Sequence, residues 1–366
     1  MTALMPLSGS YAPDDVRFLL TPITMPDTPV SIKEVLIQSG QKHYSQMLSY
    51  EALPSEDYLA LFYQAMAANK MRVAEHVVIL AERILATRPH GITLVSLARA
   101  GTPMGVLLKQ VIKRYFNTDV AHYSISILRD VGMDLNALRF IVQHHAPETL
   151  VFVDGWTGKG IIAGQLATSL QQFAQTDGIN IPAELYVLTD LSGCAAVAAS
   201  SEDYLIPSCI LNATVSGLVS RSVYDEQLIR ATQFHGCVYY DQFEAHDLST
   251  YFVDEILASI DFIWKNSTYR PPIELNHQQL QAISQTLLQQ LAERYQISRQ
   301  HYIKPGIGEA TRVLLRREAR LLLLQDIESE ATLHLRWLAE SRSVPIEVCS
   351  ELPYRAVALI KEIHND

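Results

Sequence analysis

In "VFVDGWTGKG", residues 151 to 160, three glycines are interleaved with an aspartate, a threonine and a lysine. The residues before it read as an apolar strand and those after it as a helix, so free amide N–H groups at the helix start face the turn and favour an anion. Gly155, Gly158 and Gly160 allow close backbone approach, while Thr157 offers a hydroxyl and Lys159 a positive charge. Asp154, at the strand end, suits ribose hydroxyls or the water shell of a magnesium ion. The loop is neither GxxxxGK[ST] nor GxGxxG, and it also suits a plain turn in which Asp154 caps the helix. One unit earlier, "LVSLARAGTPMGVLL" (94 to 108) repeats the construction, with Arg99, Ala100, Gly101 and Thr102 after an apolar strand and Pro103 opening a helix. Two such loops on one sheet suit a ligand with phosphates at two ends.

The elements that position these loops follow from periodicity. Strands are expected at 91–98, 120–128, 149–154 and 183–190, with helical patterns between them at 103–116, 134–145 and 157–173. Alternation of this kind predicts an α/β fold, a parallel sheet with helices on both faces, and ligands bind such sheets at the carboxyl ends of the strands. Residues 1–57 read as an irregular wrap, 58–265 as the core and 266–296 as a linker ("NSTYRPPIEL") followed by a helix. Residues 297–366 form a small α/β unit of their own, with a closing helix over "LPYRAVALIKEI".

The chain has 366 residues and a net charge of −10, which argues against bulk coating of nucleic acid. Residues from Ile297 onward hold ten basic and ten acidic residues, so the acidic excess lies in the first 296. No stretch approaches the roughly 18 apolar residues of a membrane span and no leader pattern opens the chain, so a cytoplasmic protein without membrane contact is expected. Cys194, Cys209, Cys237 and Cys349 lack zinc-ligand spacing, and no metal-ligating side chains are expected.

The two loops resemble the pyrophosphate and phosphoribosyl diphosphate loops of type I phosphoribosyltransferases. "HYSISILRDVGMD", "NATVSGLVSRSV", "FHG" (234 to 236) and "KPGIGEATRVLLRR" resemble more closely the phosphoribosyltransferase-like proteins of tellurite-resistance and stress-response gene clusters, a family also labelled cysteine protease StiP. The resemblance spans about Tyr11 to Pro353. It implies that Asp154 binds the ribose hydroxyls, that Thr157, Gly158, Lys159 and Gly160 hold the 5′-phosphate and that Arg99, Ala100 and Gly101 hold pyrophosphate, with Thr102, Gly155 and Trp156 counted in the same cofactor-binding loops. Mg²⁺ would be chelated by phosphoribosyl diphosphate itself, and the acceptor would be a base-like small molecule. Gly155 stands where that family's loop has a second acid, and Trp156 where a small aliphatic residue is common.

"LRDVGMD" falls where such enzymes carry a closing loop, so Arg129 would stabilise the leaving pyrophosphate; an exposed charged loop is the other reading. Asn212, Thr214, Ser216 and Arg221 either line an acceptor pocket or form the polar face of a strand. His235 is a candidate general base. The peptidase label needs a nucleophilic thiol, for which Cys194, read as opening a small-residue helix, is the candidate. The tail resembles the Pelota-type RNA-binding domain. That implies structured RNA as a partner, faced by Lys304, Gly306, Gly308, Glu309, Arg312, Arg316 and Arg317; a solvated helix is the alternative. A non-catalytic nucleotide or RNA sensor is the rival to a transferase. The sequence leaves the oligomeric state open.

Overall fold

The computed structural model describes residues 7–266 and 274–362, so the Pro-Pro pair of the expected linker lies outside the described residues. In chain order the first elements are β1 (Arg17–Leu19), β2 (Thr21–Pro22), α1 (Val30–Gln38) and the long α2 (Glu56–Thr87). The alternating unit follows: β3 (Thr93–Ala98), α3 (Thr102–Phe116), β4 (Ala121–Leu128), β5 (Gly132–Met133), α4 (Leu135–Val142), β6 (Leu150–Thr157), α5 (Ile161–Asp177) and β7 (Leu185–Asp190). It closes with β8 (Val197–Ser200), β9 (Gly236–Cys237) and α6 (Ser249–Asn266).

The principal sheet runs β1-β4-β3-β6-β7-β8, all parallel, with β5 antiparallel to β4. Successive strand residues face opposite layers. Leu94, Val151, Val153, Tyr186 and Leu188 join the core under α2, α3 and α6, whereas Val95, Phe152 and Val187 join the core under α4 and α5. The expected α/β sheet is therefore present, with one difference at its start. The wrap is not wholly irregular, because β1 pairs with β4 at the sheet edge, Phe18 opposite Ser124. Two corrections concern local period. The small-residue run after Cys194 is the strand β8, since Ala198 and Ala199 are buried on opposite faces of the sheet edge. Residues 212–221 form no strand; a short 3-10 turn (Ala213–Val215) and irregular buried backbone take their place.

The tail comprises α7 (His277–Arg294), β10 (Ile303–Pro305), α8 (Ile307–Arg316), β11 (Ala319–Leu324), α9 (Leu333–Ser341), β12 (Ile346–Val348) and β13 (Ala356–Ile360). Its sheet runs β10-β13-β11-β12. The expected closing helix is instead β13, whose five residues are all buried; a short continuous apolar run carries no period by which helix and strand could be told apart.

The tail is packed onto the core. One apolar cluster includes Val153 and Ile206 of the core together with Ile307, Leu323 and Ala358 of the tail. Asp203 clamps the junction, its carboxylate accepting from Ile307 N–H at the start of α8 and from Arg355 N–H, both at 2.8 Å. Tyr354 Oη donates to Leu191 O at 2.7 Å. Among the described residues, no helix is long and apolar enough to cross a membrane.

Candidate functional site

β6 continues beyond Asp154 because Trp156 and Thr157 still pair with Thr189 and Asp190 of β7, so the turn proper is Gly158–Gly160. Thr157 Oγ1 accepts from Gly160 N–H at 3.1 Å, and Gly160 takes a φ of +75° where a Cβ would lie 2.4 Å from Cys194 Sγ. Gly158 faces the tail, since a Cβ there would meet Pro305 O at 3.0 Å. Gly155 has room, its nearest neighbour to an added Cβ being Ile206 Cδ1 at 3.7 Å. Steric demand therefore does not explain the glycine.

Side chains from three parts of the chain converge on this turn. Asp154 and Trp156 come from β6, Lys33 and Tyr44 from the N-terminal segment, and Lys304, Glu309, Arg312, Arg316 and Arg317 from β10 and α8 or its end. They enclose a cleft of about 310 Å³. With Arg129, Lys159 and Arg221, eight cationic side chains and two carboxylates line it, in a chain whose net charge is −10.

The partners set the local electrostatics. Burial raises the Asp154 carboxyl to about 6, against the pull of Arg312, while its Oδ1 accepts from Gly155 N–H at 2.8 Å. Lys159 Nζ reaches across to the tail, donating to Gln300 O at 2.9 Å and Ile303 O at 2.7 Å. Burial, with Lys304 beside it, lowers this amine to about 7. Glu309 behaves oppositely: burial would raise it, but Lys304, Arg312 and Lys159 together hold it at about 2. Arg312 lies 4.2 Å from the Trp156 ring centroid, a cation–π contact, and bonds Glu309 at 3.3 Å. Gly308 permits that stack, because a Cβ there would fall 2.7 Å from the indole. Gly306, at φ +86°, opens α8 against Leu191. Arg316 bonds Asn212 Oδ1, and Arg317 forms an ion pair with the buried Glu34. Trp156 Nε1 and Arg316 Nε are buried without a partner among the described residues.

The other expected site residues are placed as follows. Arg99 and Ala100 line a neighbouring cavity of about 170 Å³ with Asp154, Asn212 and Ser216. Arg99 is already engaged, by Glu51 at 3.2 Å and by Val219 O at 2.6 Å. Gly101 is wedged where a Cβ would lie 2.4 Å from Val153 O, and the buried Thr102 hydroxyl bonds Ser124 at 2.8 Å, so neither Gly101 nor Thr102 lines the cavity, although Pro103 does. Arg129 lies in the cleft, over Tyr44 and bonded to Asp130 at 3.0 Å. Arg221 donates to Tyr44 O and Met47 O. Thr214 lines a third cavity, with Asn212 and Arg221.

His235 lies outside these cavities. It is buried, its Nδ1 bonds Ser126 Oγ at 2.8 Å, and its N–H donates to Asp134 at 2.6 Å, the residue that caps α4. Burial lowers its pKa against the pull of Asp134, and its bonds tie Ser126 to the residue that caps α4. Among the described residues no cysteine hydrogen-bonds a histidine: Cys194, the exposed one, contacts Ser192 O at 3.5 Å, and Cys209 contacts Gly308 O at 3.5 Å with its thiol pushed up to about 12 by burial. Among the described residues no group of three His, Cys, Asp or Glu side chains could hold a metal ion. Lys33, Tyr44 and Glu51 were not visible as site residues, because the segment that carries them has no motif and only the fold brings it to the strand ends.

Residues 9–257 match the family model described as Tellurite-like stress resistance cysteine protease StiP, and residues 282–362 match the PELOTA RNA binding domain. A relative named Cysteine protease StiP, from Acinetobacter baylyi, is 41% identical over 366 residues, covering 97% of this chain and 94% of that protein. Among solved structures, a hypoxanthine phosphoribosyltransferase of Trypanosoma cruzi matches at 16% identity and a TM-score of 0.26, covering 37% of this chain and 81% of that one. A mutant of the Trypanosoma cruzi enzyme complexed with the product IMP matches at 14% and 0.26, covering 50% and 93%. Likeness of this size says nothing of activity.

Proposed function

The chain belongs to the StiP family, and from that premise and the chemistry of its cleft we propose that it binds a sugar of the phosphoribosyl diphosphate class and transfers the phosphoribosyl group to a base-like acceptor. The observation that carries this reading is the excess of eight cations over two carboxylates around the turn that follows Asp154. Such an excess, half-buried and desolvated, favours a ligand with several phosphate charges. In the proposed complex Asp154 accepts from ribose hydroxyls and the Thr157–Gly160 turn holds the 5′-phosphate. Arg129, Arg221, Arg312 and Arg316 surround the diphosphate.

The transfer breaks the C1′–O bond, with the electron pair leaving on pyrophosphate, and forms a C1′–N bond from the acceptor's ring lone pair; where that nitrogen carries a proton, the proton passes to pyrophosphate or solvent. The protein's part is to position, to compensate the charge that develops on the leaving oxygens, and to keep water out with the docked tail. Mg²⁺ would supply further charge compensation, held mainly by the ligand's oxygens, with Asp154 as the side chain available to it. The basic face of the tail, expected to meet RNA, serves the cleft's ligand in this reading.

Calorimetry with phosphoribosyl diphosphate and Mg²⁺, for the wild type and Asp154→Asn, tests the proposal. No binding by the wild type sinks it, and binding without pyrophosphate release in the presence of acceptors marks a sensor. A second reading, a cysteine peptidase, draws on the printed name of the Acinetobacter relative and on the exposure of Cys194 beside Gly160. Cleavage of casein that vanishes in Cys194→Ser would establish it.

A further inference from the structure

Arg221 and Arg316 line the cleft, the 170 Å³ cavity and also a third chamber of about 380 Å³, so the three adjoin at these two guanidinium groups. The third chamber differs in character from the phosphate end. One wall is aromatic: Tyr58 of α2 stacks on Trp337 of α9, with ring centroids 5.7 Å apart and 27° between the planes. Tyr50, 73% exposed, and Tyr240 also line it.

The charges are one-sided. Lys33, Arg99, Arg221, Arg316 and Arg342 line the chamber, against Glu51 as its carboxylate. Glu51 is neutralised by Arg99 and also accepts from Ala213 N–H. The four remaining cations have neutral partners here: Ser49 Oγ for Lys33, backbone carbonyls for Arg221 and Arg342, and Asn212 for Arg316. The chamber therefore sets five cations against one carboxylate, Glu51, whose field reaches Arg316 as well as Arg99. The buried Arg316 Nε also lacks an acceptor among the described residues.

We propose that this chamber is the acceptor site and that it selects a planar aromatic ring carrying a carboxylate. The ring lies against the Tyr58–Trp337 wall and the carboxylate points to Arg316 and Arg342. A neutral base would leave four cations facing a low-dielectric ligand without a counter-charge. A second sugar phosphate would leave the aromatic wall without an apolar partner. Trp337 and Arg342 come from the tail, so the chamber is complete only when the tail is docked. The inference rests on the transferase reading for the word acceptor, and on the chamber itself for the chemistry of the ligand.

The test uses the full chain, titrated by calorimetry with pyridine-3-carboxylate, with its neutral isostere pyridine-3-carboxamide, and separately with pyrophosphate and Mg²⁺. The carboxylate is expected to bind at least about tenfold more tightly than the amide, as one charge-assisted contact implies. Arg342→Gln, at an exposed rim, removes most of that preference and leaves pyrophosphate affinity within about twofold, whereas Trp337→Leu weakens both pyridines. Equal affinity for acid and amide, or a preference that survives Arg342→Gln and Arg316→Gln, overturns the proposal. If Trp337→Leu fails to fold, Arg342→Gln still decides. Pyrophosphate binding with neither pyridine bound overturns the chamber and leaves the transferase reading. Pyridine-3-carboxylate binding without pyrophosphate or phosphoribosyl diphosphate binding upholds the chamber's chemistry and removes the transferase.

Discussion

Asp154→Asn should make the protein more stable at neutral pH while abolishing ligand binding. The folded pKa of Asp154, about 6, lies above its ordinary 3.8 because burial penalises the carboxylate. A raised acid contributes stability that is full below 3.8 and is lost as pH rises through 6. At about 1.4 kcal/mol per pH unit, the interval is worth ~3 kcal/mol, of which ~2 kcal/mol falls between about pH 4.5 and pH 8. Asparagine does not ionise, so the stability of the variant relative to wild type should rise by about 2 kcal/mol over that range. Urea denaturation of both proteins at the two pH values measures it, and effects from other titrating groups cancel in the difference. A stability difference that stays constant with pH, or moves the other way, refutes the desolvated placement of Asp154. The same variant should lose phosphoribosyl diphosphate binding, as expected where a functional charge is kept at the expense of stability.

Lys159, lowered to about 7, is largely neutral at pH 8, so an incoming phosphate should draw a proton onto it. Calorimetry of pyrophosphate binding in two buffers of different ionisation enthalpy should show proton uptake that is absent in Lys159→Met. Asp203→Ala removes two charge-assisted bonds at the core–tail junction and should cost at least about 3 kcal/mol in urea denaturation, with ligand affinity lost as well. Replacing a helical glycine by alanine commonly stabilises by up to about 1 kcal/mol. Gly308→Ala should instead lower Tm, because its Cβ would press on the Trp156 ring under Arg312. An unchanged or raised Tm would show that the stack yields freely.

Much of the α/β core was legible from local pattern. Strands of four or more apolar residues between amphipathic helices leave few topologies open, and the strands observed at Thr93–Ala98 and Ala121–Leu128 lie within two residues of expectation. That a glycine-rich turn joins β6 to a helix was legible for a related reason, since glycine marks backbone geometry directly, but the strand runs on to Thr157 and the helix expected from 157 starts at Ile161. Period failed where a run was short and buried on both faces, as at Ala356–Ile360, or made of small residues, as after Cys194.

What the sequence by itself determined was the framework: a parallel sheet, two loops at its carboxyl edge, and a separate small unit in the tail. The tertiary structure decided what those parts do to each other. Charge counted along the chain makes the tail neutral, yet docking turns Lys304, Arg312 and Arg316 toward Asp154 and leaves acids such as Glu340 exposed to solvent. Lys33 and Glu51 enter the site from a segment without a motif, and His235 leaves it for Ser126. The physical reason is that pairing partners and burial, which set the charge and reach of each side chain, depend on contacts between residues far apart in the chain. Periodicity and local spacing carry no record of those contacts.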